Sequence, residues 1–333
     1  IIMYIFITKI YRYQFLYMTL VQLQYVLAVA EHKNFTIAAD KSFVTQPTLS
    51  MQIQKLEKEL NIDIFDRTSH PIKITQIGEK IVAQAKTILM EANRMKHLVN
   101  EEKGLLEGDF IIGVIPTVLP SLVPLFYKTF QKNNPKSNLI IKELQTDKII
   151  KGIKDGSLDF GIVVSPLFED QIIEKPLYYE PLVAYVPNGH RLSDKDKINE
   201  DDLNTSDLLI LQEGHCFRNN VLALCDTSNL KNRPIKLDSG SFEALVKLAN
   251  DGYGMTLLPA LVADDLPQEY KKFVKNFESP VPTREVSLIF HQSQLRDSFE
   301  KELINTIQSI LRGKIFLEKD QKLDSNMVSL PKK

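Results

Sequence analysis

Both cysteines of this 333-residue chain lie in one stretch, Gly214-His215-Cys216-Phe217-Arg218 followed by Asn219 to Cys225. His215 directly precedes Cys216, and Arg218 stands two places after it. A thiol titrates at about 8.5 when unperturbed, and a neighbouring cation lowers that value and raises the reactive thiolate fraction. Cys225 follows nine residues later. That distance suits an attacking and a resolving thiol better than a metal site, which takes three or four ligands and closer pairs such as C-x-x-C. No metal and no cofactor is therefore expected. Spacing alone leaves a second reading open. Two cysteines in a long chain are ordinarily small buried apolar residues, and intracellular disulfides are rare and mostly regulatory.

The elements around this stretch must supply a cleft for a reactant and an output for the reaction. The length predicts two or three domains. Hydrophobic residues at 44% and charged residues at 25% are ordinary globular values. A net charge of −1 gives no overall basicity, so any contact with DNA must come from a local surface. Two cysteines make no secreted disulfide framework. Residues 1–17 are apolar and aromatic, broken by Lys9, Arg12 and Gln14. The run before the first charge is too short to span a membrane, and a signal peptide would carry its charge first. The regular pattern opens at Met18, which is the expected natural start, with residues 1–17 an extension. Residues 317–333 are polar and read as a frayed tail.

Leu20, Leu23, Val26, Leu27 and Ala30 recur at helical steps. Asn34 is the expected N-cap of a short helix over Phe35–Ser42. Thr45 is the expected cap of a third, Gln46–Leu60, with Pro47 in its first turn. Leu49, Ile53, Leu56 and Leu60 should face inward. Residues 62–67 and 71–75 read as a two-stranded wing. This is a winged helix-turn-helix over residues 18–75. Gln46, Thr48, Ser50, Gln52 and Lys55 are expected on the outward face of the third helix. These side chains are suited to adenine edges, phosphates and guanine.

From Leu23-x-Tyr25 through Thr45-Gln46-Pro47-Thr48-Leu49-Ser50, Phe65-x-Arg67 and Thr75-x-x-Gly78, the module resembles the DNA-binding module of LysR-type transcriptional regulators. The resemblance implies that Thr45, Gln46, Thr48 and Ser50 read DNA and that Arg67 contacts its backbone. Gln54 stands where many relatives carry a basic residue.

A long amphipathic helix should follow in the linker, residues 76–106. Its apolar seam is Ile77, Ile81, Ala85, Ile88, Leu89, Ala92, Met95 and Leu98–Val99. Such a seam is expected to pair with its copy in a second chain rather than with its own domain. Residues 107–316 then alternate. Strands are expected at 110–115, 138–144 and 158–164, with helices at 120–130 and 147–155, which predicts a parallel sheet. Further strands are expected at 183–186, 208–211, 235–238, 254–257 and 286–290. Helices are expected around 218–224, 241–251 and 297–311. The predicted architecture is a two-lobed α/β domain resembling periplasmic binding proteins, with lobe I at about 107–180 and 285–316 and lobe II at about 181–284. Thr117 and Thr146 follow the first two strands and should face the cleft, unless they only cap helices. No Gly-rich phosphate loop is present, so nucleotide binding has no support.

A second resemblance lies in Gly113-x-Ile115-Pro116-Thr117, Gln145-Thr146, Gly214-His215-Cys216-x-Arg218, Cys225, Thr256-Leu257-Leu258-Pro259-Ala260 and Leu295-Arg296. These segments are similar to the hydrogen-peroxide-sensing activators within that family. The resemblance implies a peroxidatic Cys216 and a resolving Cys225. It implies a peroxide site at Thr117, Thr146 and His215 beside Cys216, with Arg218 nearby. It further implies promoter DNA and RNA polymerase as partners, a homodimer through the linker helix assembling to a homotetramer, no membrane partner and a cytoplasmic location. A regulator of a small metabolite bound between the lobes is the alternative. A thiol peroxidase is disfavoured because an enzyme has no use for the DNA-binding module.

Overall fold

The computed structural model describes residues 18–69, 71–102, 106–212, 216–224, 240–294, 297–312 and 315, with backbone alone for 93, 94, 96–102, 216, 219, 220 and 223. The expected extension, the 235–238 strand, the tail, His215, Cys225 and Arg296 lie outside the described residues. The chain forms two units, Ile1–His97 and Leu98–Lys333.

In the first unit, α1 (Leu20–His32) opens with a reciprocal cap. Thr19 accepts from the Gln22 N–H while the Gln22 side chain accepts from the Thr19 N–H. Its buried stripe is Gln22, Leu23, Val26 and Val29. Leu20, expected inside, is exposed at the first turn. Asn34 caps α2 (Phe35–Lys41) by accepting from the N–H groups of Thr36 and Ile37. Thr45 precedes α3 (Gln46–Leu60), but its side chain makes no cap bond and instead meets the Thr48 hydroxyl at 2.8 Å. Leu49, Ile53 and Leu56 are fully buried and Leu60 half-buried, which seats α3 on α1 and α2.

The wing is shorter than the sequence pattern: β1 (Phe65–Asp66) pairs antiparallel with β2 (Lys73–Ile74). Thr75 then donates to the Asp63 carbonyl and accepts from the Gly78 N–H. A Cβ on Gly78 would sit 2.2 Å from the Ile64 carbonyl oxygen, so that position admits only glycine.

The long helix, α4 (Gln76–Glu102), departs from the expectation in one respect. Ala85 is buried, and Ile81, Val82, Ile88 and Leu89 pack on the core of the winged module. Four of the nine seam residues, Ile81, Ala85, Ile88 and Leu89, therefore pack within the chain. Met95 and Ile77 remain exposed.

In the second unit, β3 (Gly108–Val114), α5 (Leu119–Asn133), β4 (Ser137–Glu143), α6 (Thr146–Lys154) and β5 (Phe160–Ser165) make the predicted parallel β-α-β-α-β core. The next strand is longer than the sequence pattern predicts. β6 (Ile172–Tyr185) runs for 14 residues, not from 183 alone. Beyond it come β7 (Lys197–Ile198), β8 (Leu208–Leu209), α7 (Cys216–Ala223), α8 (Phe242–Leu248), β9 (Met255–Pro259), α9 (Ala260–Asp264), α10 (Gln268–Lys271) and β10 (Val274–Phe277). The chain returns through β11 (Thr283–His291) to α11 (Asp297–Leu311), which matches its predicted range.

The first half of β6 pairs with β11 in lobe I, and its last residues pair with β9 and β10 in lobe II. Both crossings between lobes thus pass through 180–182 and 282–284. Each lobe has its own core. Phe110, Phe130, Phe160 and Phe299 cluster in lobe I, with Phe110 stacked on Phe299 at 3.8 Å. Tyr185, Phe217, Leu245 and Leu257 are among the core of lobe II. Among the described residues, no helix is long and apolar enough to cross a membrane.

Candidate functional site

The turn after β3 is held by the N–H groups of Val118 and Leu119, both donating to the Ile115 carbonyl. Thr117 sits in that turn and is buried. It is not a helix cap, because Val118 occupies that position before α5. Arg284 clasps it: Nη1 donates to Thr117 Oγ1 at 3.2 Å and Nη2 to its carbonyl at 3.0 Å. The bond to Oγ1 uses an oxygen lone pair and leaves the hydroxyl proton able to donate elsewhere. Thr146 is the first residue of α6, half-buried. Both threonines stand three residues beyond the paired ends of adjacent parallel strands, Val114 opposite Glu143. This is the carboxyl edge of the sheet, where ligands bind in folds of this kind.

Arg284 faces Glu180 directly across β11 and β6. Its Nε and Nη2 donate to Glu180 Oε2 at 2.8 and 2.7 Å. Glu180 Oε1 accepts from the Leu261 N–H at 3.0 Å, where α9 begins. Both side chains are buried, at 1% and 0% exposure. A charge pair so far from water is tolerated when its remaining donors and acceptors are also used, as they are here. The guanidinium carbon of Arg284 also lies 5.5 Å from the centre of the Phe217 ring.

Phe217 is the second residue of α7, directly after Cys216. It packs edge-on against Phe242 at 5.0 Å. Phe217, Val221 and Leu224 form the buried face that seats the helix on lobe II. One cation therefore touches Thr117 in lobe I, the crossing strands, and the ring next to Cys216 in lobe II. Arg218 is half-buried and donates to the Leu211 carbonyl at 3.0 Å.

Two features of this site go beyond what the sequence pattern predicts. Arg284 and Glu180 are 104 residues apart in sequence. The signal for Glu180 is a charge inside the run Leu177–Tyr185, which is otherwise uncharged and demands a buried partner for it. Tyr178 is fully buried, and among the described residues its hydroxyl has no partner. Burial, and then the nearby Glu180 carboxylate, push its ionisation well above the ordinary phenol value.

On α3, the structure divides the expected DNA-reading residues. Gln46, Thr48 and Lys55 are exposed. Ser50 and Gln52 are half-buried on the flanks. Ser50 accepts from Arg67 Nη1 at 2.8 Å, and Gln52 accepts from the Gln22 side chain at 3.3 Å. Arg67 also pairs with Glu57 at 3.0 Å and lies 4.7 Å from the Phe35 ring centre. Glu57 in turn accepts from the N–H groups of Ile64 and Phe65, which ties the wing to α3. The crest of α3 is instead Pro47, Met51, Gln54 and Lys58, all exposed at helical steps of four, three and four.

Two family models match the chain. The bacterial regulatory helix-turn-helix protein of the lysR family covers residues 20–79, and the LysR substrate binding domain covers residues 103–312. The hydrogen peroxide-inducible genes activator of Pectobacterium carotovorum is 33% identical, with 89% of this chain and 98% of that protein aligned. The DNA-binding transcriptional dual regulator OxyR of Escherichia coli is 33% identical over 89% of this chain and 97% of its own. Among solved structures, a full-length cysteine-to-aspartate OxyR variant from Pseudomonas aeruginosa is similar with a TM-score of 0.75 and 32% identity. It covers 92% of this chain and 99% of its own.

Proposed function

The chain belongs to the LysR family of DNA-binding transcription regulators, and within that family we propose that it is an activator switched by hydrogen peroxide. The observation that carries this reading is the clasp of Arg284 on Thr117 beside the ring of Phe217. It joins a buried hydroxyl at the cleft to the helix that Cys216 opens. The relatives named for peroxide induction support the same reading.

The chemistry runs in two balanced steps. The Cys216 thiolate attacks one peroxide oxygen, the O–O bond breaks, and hydroxide leaves to be protonated to water. Cys216 is then a sulfenic acid. The Cys225 thiol attacks its sulfur, forming the disulfide and releasing a second water. Two thiols are oxidised and one peroxide is reduced. His215 and Arg218 favour the thiolate, while Thr117 and Thr146 hydrogen-bond the peroxide oxygens and ease departure of hydroxide.

The helix makes this reaction a switch. Cys216–Ala223 is helical, and a helix carried on to Cys225 would hold the two cysteines about 13 Å apart along its axis at 1.5 Å per residue. A disulfide requires Cα atoms within about 7 Å. Bonding Cys216 to Cys225 therefore unwinds α7 and withdraws Phe217, Val221 and Leu224 from the lobe II core. That order–disorder step changes how the homotetramer sets its recognition helices on promoter DNA and presents itself to RNA polymerase in the cytoplasm, raising antioxidant gene expression.

The test is footprinting of promoter DNA with reduced protein, peroxide-treated protein and Cys216→Ser, with thiols counted in parallel. Peroxide should remove two thiols and alter the footprint in the wild type only. Cys225→Ser should consume one peroxide and form no intramolecular disulfide. An unchanged thiol count and footprint would overturn the reading and leave a metabolite-responsive LysR regulator.

A further inference from the structure

The crest of the recognition helix is not the polar face that the sequence pattern favours. Pro47 and Met51 stand exposed in its first two turns, Met51 at 59%. Gln54 and Lys58 continue the same line toward the C-terminal end. The neighbouring hydrogen-bonding groups are Thr48 on one flank and Ser50 on the other. Ser50 is already engaged by Arg67, and Thr48 by Thr45.

In helix-turn-helix proteins the N-terminal residues of the recognition helix meet the base edges in the major groove. Here the crest between the exposed Gln46 and Thr48 side chains offers a ring and a thioether, which carry no donor and at most a weak sulfur acceptor. An exposed flexible apolar side chain at the centre of a DNA-facing helix has one complementary feature on a base edge, the 5-methyl group of thymine. Met51 has three rotatable bonds and a polarizable sulfur, which let it close on a methyl group without an exact hydrogen-bond geometry. Lys55, four residues on, and Lys58 supply the phosphate attraction that brings the helix down onto the groove.

We propose that Met51 is a specificity-determining residue that reads a thymine 5-methyl group in each half-site, with Pro47 packing beside it. The inference rests on DNA binding by the family and is independent of the peroxide chemistry.

The experiment uses the full-length protein. Half-site preferences are selected from a randomised duplex library for the wild type, Met51→Gln and Met51→Leu. Affinities are then measured on the selected duplex with each thymine replaced in turn by deoxyuridine. Wild type should show a fixed thymine at one position per half-site. Loss of its methyl group should weaken binding about fourfold, from about 0.8 kcal/mol per buried carbon group. Met51→Gln should bind thymine and deoxyuridine equally there and change base preference at that position alone, with the salt dependence unaltered. Met51→Leu should keep the methyl discrimination. Equal wild-type affinity for every deoxyuridine duplex, or an unchanged selected sequence for Met51→Gln, would overturn the proposal.

Discussion

Replacing Glu180 with Gln should destabilise the regulatory unit sharply, because it strands a buried cation. Gln keeps the volume and keeps an oxygen for the Leu261 N–H. It removes the carboxylate that Arg284 Nε and Nη2 share at 2.8 and 2.7 Å. Arg284 is 1% exposed, so water cannot replace the lost charge. Its guanidinium does not deprotonate, so the charge persists. Breaking one partner of such a buried pair costs about 3–5 kcal/mol. Against a usual total of about 5–15 kcal/mol, that is a large fraction. Urea unfolding of the full-length protein measures the loss, and hydrogen exchange in the β6 and β11 peptides locates it. Pairing Glu180→Leu with Arg284→Met removes both charges and should recover most of the stability, which a double-mutant cycle quantifies. The double variant still lacks the clasp on Thr117. Its Cys216 should react with peroxide at least about tenfold more slowly, the order of loss for a misplaced reacting group. A cost below about 1 kcal/mol for Glu180→Gln would refute the energetic argument. A wild-type peroxide rate in the refolded double variant would refute the link from Arg284 to the thiol.

Three further outcomes are expected. Tyr178→Phe should leave stability at neutral pH unchanged or raised by up to about 1 kcal/mol, since it removes a buried hydroxyl without a partner among the described residues. Because burial raises that phenol, the wild type should lose stability as pH climbs above its ordinary value of 10, and Tyr178→Phe should lose less in urea unfolding at alkaline pH. In the wing, the Thr68 and Ser69 hydroxyls hold the Asp66 carboxyl down at about 2. Its contribution to the turn should be intact above 3.8 and lost as pH falls through about 2, visible as a low inflection in the Thr68 amide resonance that Asp66→Asn abolishes. Phe43 has φ 55° and is 94% exposed. Phe43→Gly should relieve left-handed strain and raise the melting point of the winged module, a gain of about 0.5–1 kcal/mol after the entropy that glycine adds to the unfolded chain.

The parts of the fold that were legible in the sequence are those whose information is local. Asn34 and the stripe Leu49–Ile53–Leu56 placed α2 and α3 because caps and helical periodicity act within a few residues. The alternation of strands and helices between 108 and 165 predicted a parallel sheet for the same reason. β6 was less legible. It carries Pro176 and Pro181, lies against two different sheets and lacks a steady alternation. The Glu180–Arg284 pair was invisible because 104 residues separate its members, and only the pairing of β11 with β6 brings them together. On α3, Ser50 and Gln52 lie off the exposed crest, Ser50 by about a fifth of a turn and Gln52 by about a third at 3.6 residues per turn, and their partners are Arg67 beside the wing and Gln22 of α1.

In both halves of the protein, polar side chains divide between internal networks and outward contacts. Arg67, Glu57, Ser50 and Gln52 use their polar groups to fix the recognition helix in place. The regulatory unit follows the same logic, with Glu180 and Arg284 fixing Thr117 rather than meeting solvent. In both units the buried polar network sets geometry, because an unpaired group there is costly and only one arrangement satisfies all partners. Groups outside these networks are then free to meet a partner, among them Met51 on the helix crest and the hydroxyl proton that Thr117 keeps while its oxygen accepts from Arg284. Substitutions in the networks should therefore be felt first as lost stability. Substitutions at the contact residues should change DNA sequence preference or peroxide rate while the fold holds.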